Sequence, residues 1–221
     1  VIEKVLPDAV ASSEAFDDPT DAVLCPAEAA VISRAVDKRC REFQTVRHCA
    51  RRASGELGLP PAAILPGEHR EPLWPPGVVG SLTHCTGYRA AAVAHQRDVL
   101  TVGIDAEPHE PLPPDVAGAI ALDEELRGLA ELTAADSALC WDRVLFSAKE
   151  TVYKAWFPLT HRWLGFEQAS ITINPPMIDH SDGTFCARLL TGPVVAGEVL
   201  TRFDGRWLIS NGLVITTIAC C

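Results

Sequence analysis

The chain has 221 residues, 48% of them hydrophobic and 22% charged, enough to fold around a core without metal or disulfide staples. Lys and Arg total 19 against 29 Asp and Glu, giving a formal net charge of −10, and neither half of the chain is basic. A duplex nucleic-acid binder needs a dominant positive face and a membrane anchor needs a polybasic cluster, so both classes are set aside. No run approaches the roughly 20 apolar residues of a membrane span. The first ten residues, VIEKVLPDAV, carry acids and no long apolar stretch, so no signal peptide is expected. Eight cysteines show neither Cys-x-x-Cys nor zinc spacing and read as free thiols of a reducing, cytoplasmic environment. The adjacent Cys220 and Cys221 suggest no chemistry of their own.

Residues 1–25 read as a loose N-terminal arm. From Pro26 to about Leu57, apolar residues fall mostly at three- and four-residue spacings and predict one helix, which Gly58 and Pro60–Pro61 end. Residues 58–77 hold six prolines and three glycines, an extended, turn-rich connection. VVGSLTH, YRAAAVAHQ and VLTVGIDAE then predict three strands of a small antiparallel meander. Prolines between 108 and 114 mark a boundary, giving halves at 1–110 and 111–221. The second half repeats the order. Helices are expected near Asp115–Leu132 and from Ala134 to Phe157, stopped by Pro158. Strands follow near 168–173, 184–191, 197–203 and 206–218. Helices then strands, twice, predicts an α+β fold.

Four constellations carry candidate chemistry. In Gly103-Ile104-Asp105-Ala106-Glu107-Pro108, period two puts Asp105 and Glu107 on one strand face. Paired hard oxygen ligands suit Mg²⁺; the ordinary alternative is a solvated strand end. In Phe146-Ser147-Ala148-Lys149-Glu150-Thr151-Val152-Tyr153-Lys154, Glu150 and Lys154 share a helix face. A Glu-then-Lys pair is also ordinary surface decoration, but the aromatic flanks argue for a buried helix. Gly80-Ser81-Leu82-Thr83-His84 could contact an anion through hydroxyl, imidazole and backbone N–H, or His84 could simply be satisfied locally. Lys38, Arg39, Arg41, Arg47, Arg51 and Arg52 form a basic cluster in an acidic protein. Arg39 and Arg47, about 80° apart around a helix, could serve one phosphate site. A solvated helix face is the plain alternative.

These segments, in this order, resemble the 4′-phosphopantetheinyl transferases of the larger, surfactin/enterobactin type. The resemblance covers roughly residues 30–175. It rests on a G-[IV]-D-x-E strand end at residues 103–107 and a [WF]-[SCT]-x-K-E-x-x-x-K helix at residues 146–154. The helix DKRCREFQTVRHCAR, the Trp74-Pro75-Pro76-Gly77 turn and Ser81–His84 look most like single-chain bacterial members serving siderophore, polyketide and peptide synthases.

The resemblance implies two similar, pseudo-twofold-related α+β halves, each with helices on a small antiparallel sheet, and one active site between them. It implies a monomer that transfers phosphopantetheine from coenzyme A to a serine of apo acyl- or peptidyl-carrier proteins, with Mg²⁺ or alternatively Mn²⁺. By motif, Asp105, Glu107 and Glu150 are metal ligands, with Glu150 also the base. Lys154 meets the leaving phosphate and Lys149 contacts phosphate. Arg39, Arg47, Thr83 and His84 surround the 3′-phosphate and adenosine end, and Asp105 faces the diphosphate. Many relatives carry a lysine before the Trp-Pro turn; here residues 64–72 read ILPGEHREP, so His69 or Arg70 stands in for it, or nothing does. Residues 157–166, FPLTHRWLGF, are expected to meet the carrier protein or to be core. The rival classes are another Mg²⁺-dependent phosphatase or nucleotidyl hydrolase, and a non-catalytic coenzyme A-binding protein.

Overall fold

A computed structural model describes residues 1–175, 181–195 and 197–220. The N-terminal segment is not a loose arm. Ile2–Val5 form a 3₁₀ turn whose Ile2 and Val5 are buried, and β1 (Ala11–Ala15) pairs antiparallel in a sheet. The expected first helix is two: α1 (Pro26–Val31) and α2 (Asp37–Glu56). The β-branched Val31 and Ile32 favour helix weakly, and the Ser33 hydroxyl donates to Ala30 O instead of leaving that carbonyl to the helix. Short strands β2 (Leu65–Pro66) and β3 (Pro72–Leu73) form a small ladder in the proline-rich connection.

Strands β4 (Val78–Cys85) and β5 (Tyr88–His95) form a hairpin, and β1 completes a three-stranded sheet in the order β1-β5-β4. The expected meander ends there. β6 (Thr101–Pro108) leaves for the other sheet, where it pairs with a distant strand. It still runs beside β4, joined by side chains: Ile104 N donates to Ser81 Oγ at 3.1 Å and Ala106 N to Thr83 Oγ1 at 3.0 Å. Two hydroxyls thus bridge the sheets where a backbone ladder was expected.

The second half opens with α3 (Pro114–Ile120) and α4 (Asp123–Ala135), again two helices where one was expected. Leu122 N donates to the Glu125 carboxylate, a local cap that starts α4 afresh. α5 (Trp141–Thr160) starts later than Ala134 and runs through Pro158. Proline in the last turn removes a single hydrogen bond, and His161, at φ 50°, closes the helix instead.

Strands β7 (Ala169–Asn174), β8 (Asp182–Leu189), β11 (Arg202–Ser210) and β12 (Leu213–Cys220) join β6 in the order β6-β12-β11-β8-β7; β9 (Val194–Val195) and β10 (Glu198–Val199) form a separate ladder. The single strand expected over 206–218 is a hairpin, turned by Asn211 and Gly212 at φ 55° and 72°. Asn-Gly is the preferred pair for such a turn.

The fold is α+β, as expected. One core cluster packs α5 on the five-stranded sheet through Trp156, Trp207, Phe185 and Phe203. A second gathers Ile2, Val5, Tyr88, Ile104 and Ile215 between the sheets. Each such side chain contributes about 1.5–3 kcal/mol by burial. β6 turns Val102, Ile104 and Ala106 into this second core and its opposite face towards α5. Among the described residues no helix is long and apolar enough to cross a membrane.

Candidate active site

The site is built on the antiparallel register of β6 against α5. Two strand residues advance about 6.6 Å and four helix residues about 6 Å, so alternate strand positions meet successive helix turns. Thr101 Oγ1 donates to Ala155 O at 2.8 Å. At Gly103 a Cβ would stand 2.4 Å from Thr151 O, so only glycine lets the helix lie this close. Asp105 Oδ2 accepts from Ser147 Oγ at 2.8 Å, and Glu107 Oε2 accepts from Arg143 Nη1 at 3.0 Å. Lys154, on the same helix face, donates to Asp105 Oδ1 at 2.8 Å and to Ile104 O at 3.0 Å. The acidic strand end is thus not solvated: Asp105 is 5% exposed.

Beside this floor lies a cleft of about 450 Å³ between the halves, walled by α2, the 66–72 loop, β4 and α5. The basic cluster divides there. Arg39 and Arg47 line the cleft, whereas Arg51 pairs with buried Glu28 at 2.9 Å and Arg41 lies 3.5 Å from Asp18. Arg47 is 7% exposed, donates to Ile64 O at 3.2 Å and stacks over Phe43 at 3.4 Å. Burial lowers its pKa to about 10, which leaves it charged at neutral pH. Arg39 Nη1 lies 3.0 Å from His84 Nε2. A guanidinium only donates, so Nε2 is the acceptor and the proton of a neutral ring sits on Nδ1, 3.9 Å from Glu42. Burial holds the His84 pKa below its ordinary value; Glu42 opposes, and Arg39 and Lys154 reinforce the drop.

Glu150 lines the cleft one turn before Lys154 and, among the described residues, accepts no hydrogen bond. Burial raises its pKa, Asp105 raises it further and Lys154 opposes. Glu107 is raised by the same burial and the same neighbour, against Arg143. This crowding of carboxylates is what a divalent cation would relieve. Among the described residues no three Asp, Glu, His or Cys side chains group closely enough to hold an ion unaided. Mg²⁺ takes one or two carboxylates and completes its shell with phosphate and water. The hard-oxygen donors therefore fit a metal that arrives with a phosphorylated substrate.

The cleft and its floor bring together Asp105, Glu150, Lys154, Arg39, Arg47 and His84, with Glu107 at the strand's end. Two expected contacts are placed otherwise. Lys149 is 3% exposed, lies 2.9 Å from Glu125, and donates to Phe166 O and Ala169 O at 2.7 and 2.9 Å. One residue from Glu150 is 100° around the helix, so Lys149 does not line the arginine-walled cleft that Glu150 lines. Thr83 is buried, its hydroxyl accepting from Ala106 N and donating to Asp105 at 3.3 Å. Arg143 and Ser147 were missed as partners of the acids, although Arg143 lies seven residues before Glu150 on the same face.

An α+β fold that sets carboxylates against a Glu–Lys helix beside cleft arginines has the charges that phosphate-bearing ligands call for. Residues 27–94 match the 4′-phosphopantetheinyl transferase N-terminal domain and residues 101–197 match the 4′-phosphopantetheinyl transferase superfamily. The chain is 51% identical over 223 residues to 4′-phosphopantetheinyl transferase Npt of Nocardia iowensis, covering 99% of each. It is 50% identical to 4′-phosphopantetheinyl transferase Svp of Streptomyces mobaraensis, over 99% of this chain and 89% of that one. Enterobactin synthase component D of Salmonella typhi is 34% identical over 61% of this chain and 55% of its own. The chain belongs to the 4′-phosphopantetheinyl transferase superfamily and is an enzyme of that class.

Proposed function

We propose that this enzyme transfers 4′-phosphopantetheine from coenzyme A to a serine hydroxyl of apo acyl- and peptidyl-carrier proteins, with Mg²⁺, releasing adenosine 3′,5′-bisphosphate. It acts as a cytoplasmic monomer in siderophore, polyketide or peptide biosynthesis. The observation that carries this reading is the single face of α5 that presents Glu150 and Lys154 beside Asp105 under the Arg39–Arg47–His84 wall.

Arg39, Arg47 and His84 hold the 3′-phosphate and adenosine end. Asp105 and Glu150 would hold the metal, with Glu107 Oε1, which accepts no hydrogen bond, as a further oxygen at the strand's end. Bound there, Mg²⁺ would neutralise charge on the diphosphate. Glu150 takes the proton of the serine hydroxyl as its oxygen bonds to phosphorus and the anhydride P–O bond breaks. Lys154 spends two of its three N–H donors on Asp105 and Ile104, which leaves one for the departing phosphate. Phosphoryl transfer needs such positioning and charge more than covalent help. Thr83 and Lys149 act through structure: Thr83 orients Asp105, and Lys149 anchors α5.

The test is the mass of a panel of apo carrier proteins after incubation with enzyme, coenzyme A and Mg²⁺. Gain of phosphopantetheine on the carrier serine is expected. No gain with any carrier overturns the reading. Gain undiminished by a chelator removes the metal from it. Coenzyme A cleavage without a carrier would favour a hydrolase.

A further inference from the structure

Strand β12 alternates between the two cores. Val214 and Ile218 pack into the core under α5, and Ile215 into the core between the sheets. Thr216 falls on the α5 face, between Val214 and Ile218, and is 0% exposed. Valine would fill this place with the same shape, whereas a buried hydroxyl must find a partner or cost stability. Thr216 Oγ1 lies 2.8 Å from Ser147 Oγ and 2.6 Å from Thr151 Oγ1, both on buried turns of α5. Ser147 in turn donates to Asp105 Oδ2 at 2.8 Å. In the register of β12 with β6, Thr216 stands opposite Asp105.

The proton order in this chain of hydroxyls is forced from its end. A carboxylate accepts, so the Ser147 proton goes to Asp105. Ser147 has no second proton, so Thr216 donates to Ser147, and Thr151 donates to Thr216. All three O–H bonds then run towards Asp105, and a chain so ordered polarises along its length. Its hold on the carboxylate is directional. Oδ2 is fixed from the core side, which leaves Oδ1 on the side of Lys154, where the cleft lies. Thr216 itself does not line the cleft. Resting on the metal reading above, we propose that Thr216 is a positioning residue for the transfer reaction: its hydroxyl, acting through Ser147, fixes the rotation of the Asp105 carboxylate and so presents Oδ1 to the metal that arrives with coenzyme A. Groups that orient a metal ligand from behind are worth about 10–100-fold in metal affinity or activity.

The experiment compares Thr216→Val, Thr216→Ser and Ser147→Ala with the parent enzyme. It reads Mn²⁺ affinity in the presence of coenzyme A by electron paramagnetic resonance, coenzyme A affinity in a chelator by calorimetry, and the melting temperature. Thr216→Val should weaken Mn²⁺ about tenfold, and raise the Mg²⁺ concentration for half-maximal transfer by a similar factor. Coenzyme A affinity in the chelator should stay within about twofold, because its arginine contacts do not pass through Thr216. Ser147→Ala should lose more, since it removes the contact to Asp105 itself. Thr216→Ser keeps the hydroxyl and gives up a buried methyl, so it should lose a few degrees of melting temperature and keep its Mn²⁺ affinity. A purely structural Thr216 predicts the opposite, with metal affinity following the melting temperature through all three variants, and that pattern overturns the proposal. So does an unchanged Mn²⁺ affinity in Thr216→Val, or a loss of coenzyme A affinity in the chelator. If Thr216→Val does not fold, Thr151→Val breaks the chain one link further out; a smaller loss of Mn²⁺ affinity is expected there, and no loss overturns the proposal. A parent enzyme that binds coenzyme A but no Mn²⁺ overturns the metal reading, and this proposal with it. Mn²⁺ binding in the parent with the same affinity in the variants overturns this proposal alone.

Discussion

Glu150 joins three properties that suit a base for a hydroxyl: a cleft position, no hydrogen-bond donor spending its oxygens, and a pKa raised by burial and by Asp105. Glu150→Gln should cut transfer at least about 10²-fold, since it removes the proton acceptor and a metal charge together. The melting temperature should not fall, because a raised carboxylate is one whose ionisation the fold disfavours. Retention of more than about a tenth of the rate in a folded variant would remove the role. His84 yields a pH prediction. Burial depresses its pKa in the free enzyme against the pull of Glu42, and Arg39, Lys154 and Arg89 add to the drop. A phosphate dianion beside the ring would raise it again. Between the free and bound values, binding takes up a proton, so coenzyme A affinity gains a contribution as pH falls through the raised bound value towards the depressed free one. Calorimetry in two buffers of different ionisation enthalpy should detect proton uptake in the parent and less in His84→Asn. The same comparison subtracts the phosphate's own titration. Equal uptake in both proteins would place His84 away from phosphate. That both residues line one cleft was legible because their types and spacing suggested one anion-handling site. Lys149 and Thr83 were legible as motif members only, since motif position does not say which way a side chain points.

The pairing of β6 with α5 explains why the acids and the Glu–Lys pair sit some forty residues apart in the chain. Gly103 permits contact, Thr101 sets the far end, and the turns at Ser147 and Arg143 then meet Asp105 and Glu107. On the other side of α5, Lys149 ties the helix to Glu125 and to the 166–169 segment. Breaking a buried pair leaves a charge unpaired and costs about 3–5 kcal/mol. Lys149→Ala should therefore lower the melting temperature by roughly 6–20 °C, at about 2–4 °C per kcal/mol for a chain of this size. Its KM for coenzyme A, measured below the transition, should change less than threefold. A large rise in KM with an unchanged melting temperature would return Lys149 to phosphate contact. Helix α5 and hairpin β4–β5 could be read from periodicity and their local turns. The crossing of β6 to the second sheet could not, because its partner β12 lies over a hundred residues away and the bridging hydroxyls of Ser81 and Thr83 leave no periodic mark. The Asn211–Gly212 pair is itself a hairpin signal, which outweighs the continuous strand pattern on either side of it.

The two halves leave Glu150 accessible from two directions, which a transferase with two large substrates requires. One is the arginine-walled cleft. The other is a groove of about 300 Å³ lined by Glu150, Tyr153, Trp163, Phe166 and their neighbours. The 157–166 stretch divides between the two readings given to it. Phe157 and Leu164 are buried core, while Trp163 is 75% exposed and lies 5.0 Å from the Tyr153 ring. An exposed indole beside α5 is the kind of anchor that dominates protein interfaces, and a net charge of −10 leaves little long-range attraction for any acidic partner. Trp163→Ala should raise the KM for carrier protein by about tenfold or more, as loss of an aromatic anchor does. The affinity for coenzyme A should stay within twofold and the melting temperature within about 2 °C, since the ring covers little core. Leu164→Asp is the contrasting variant: a charge placed in the core should unfold the protein and lose both substrates together. Loss of coenzyme A affinity alone in Trp163→Ala would assign the groove to the pantetheine arm, and unchanged kinetics with every carrier would leave the indole without a docking role.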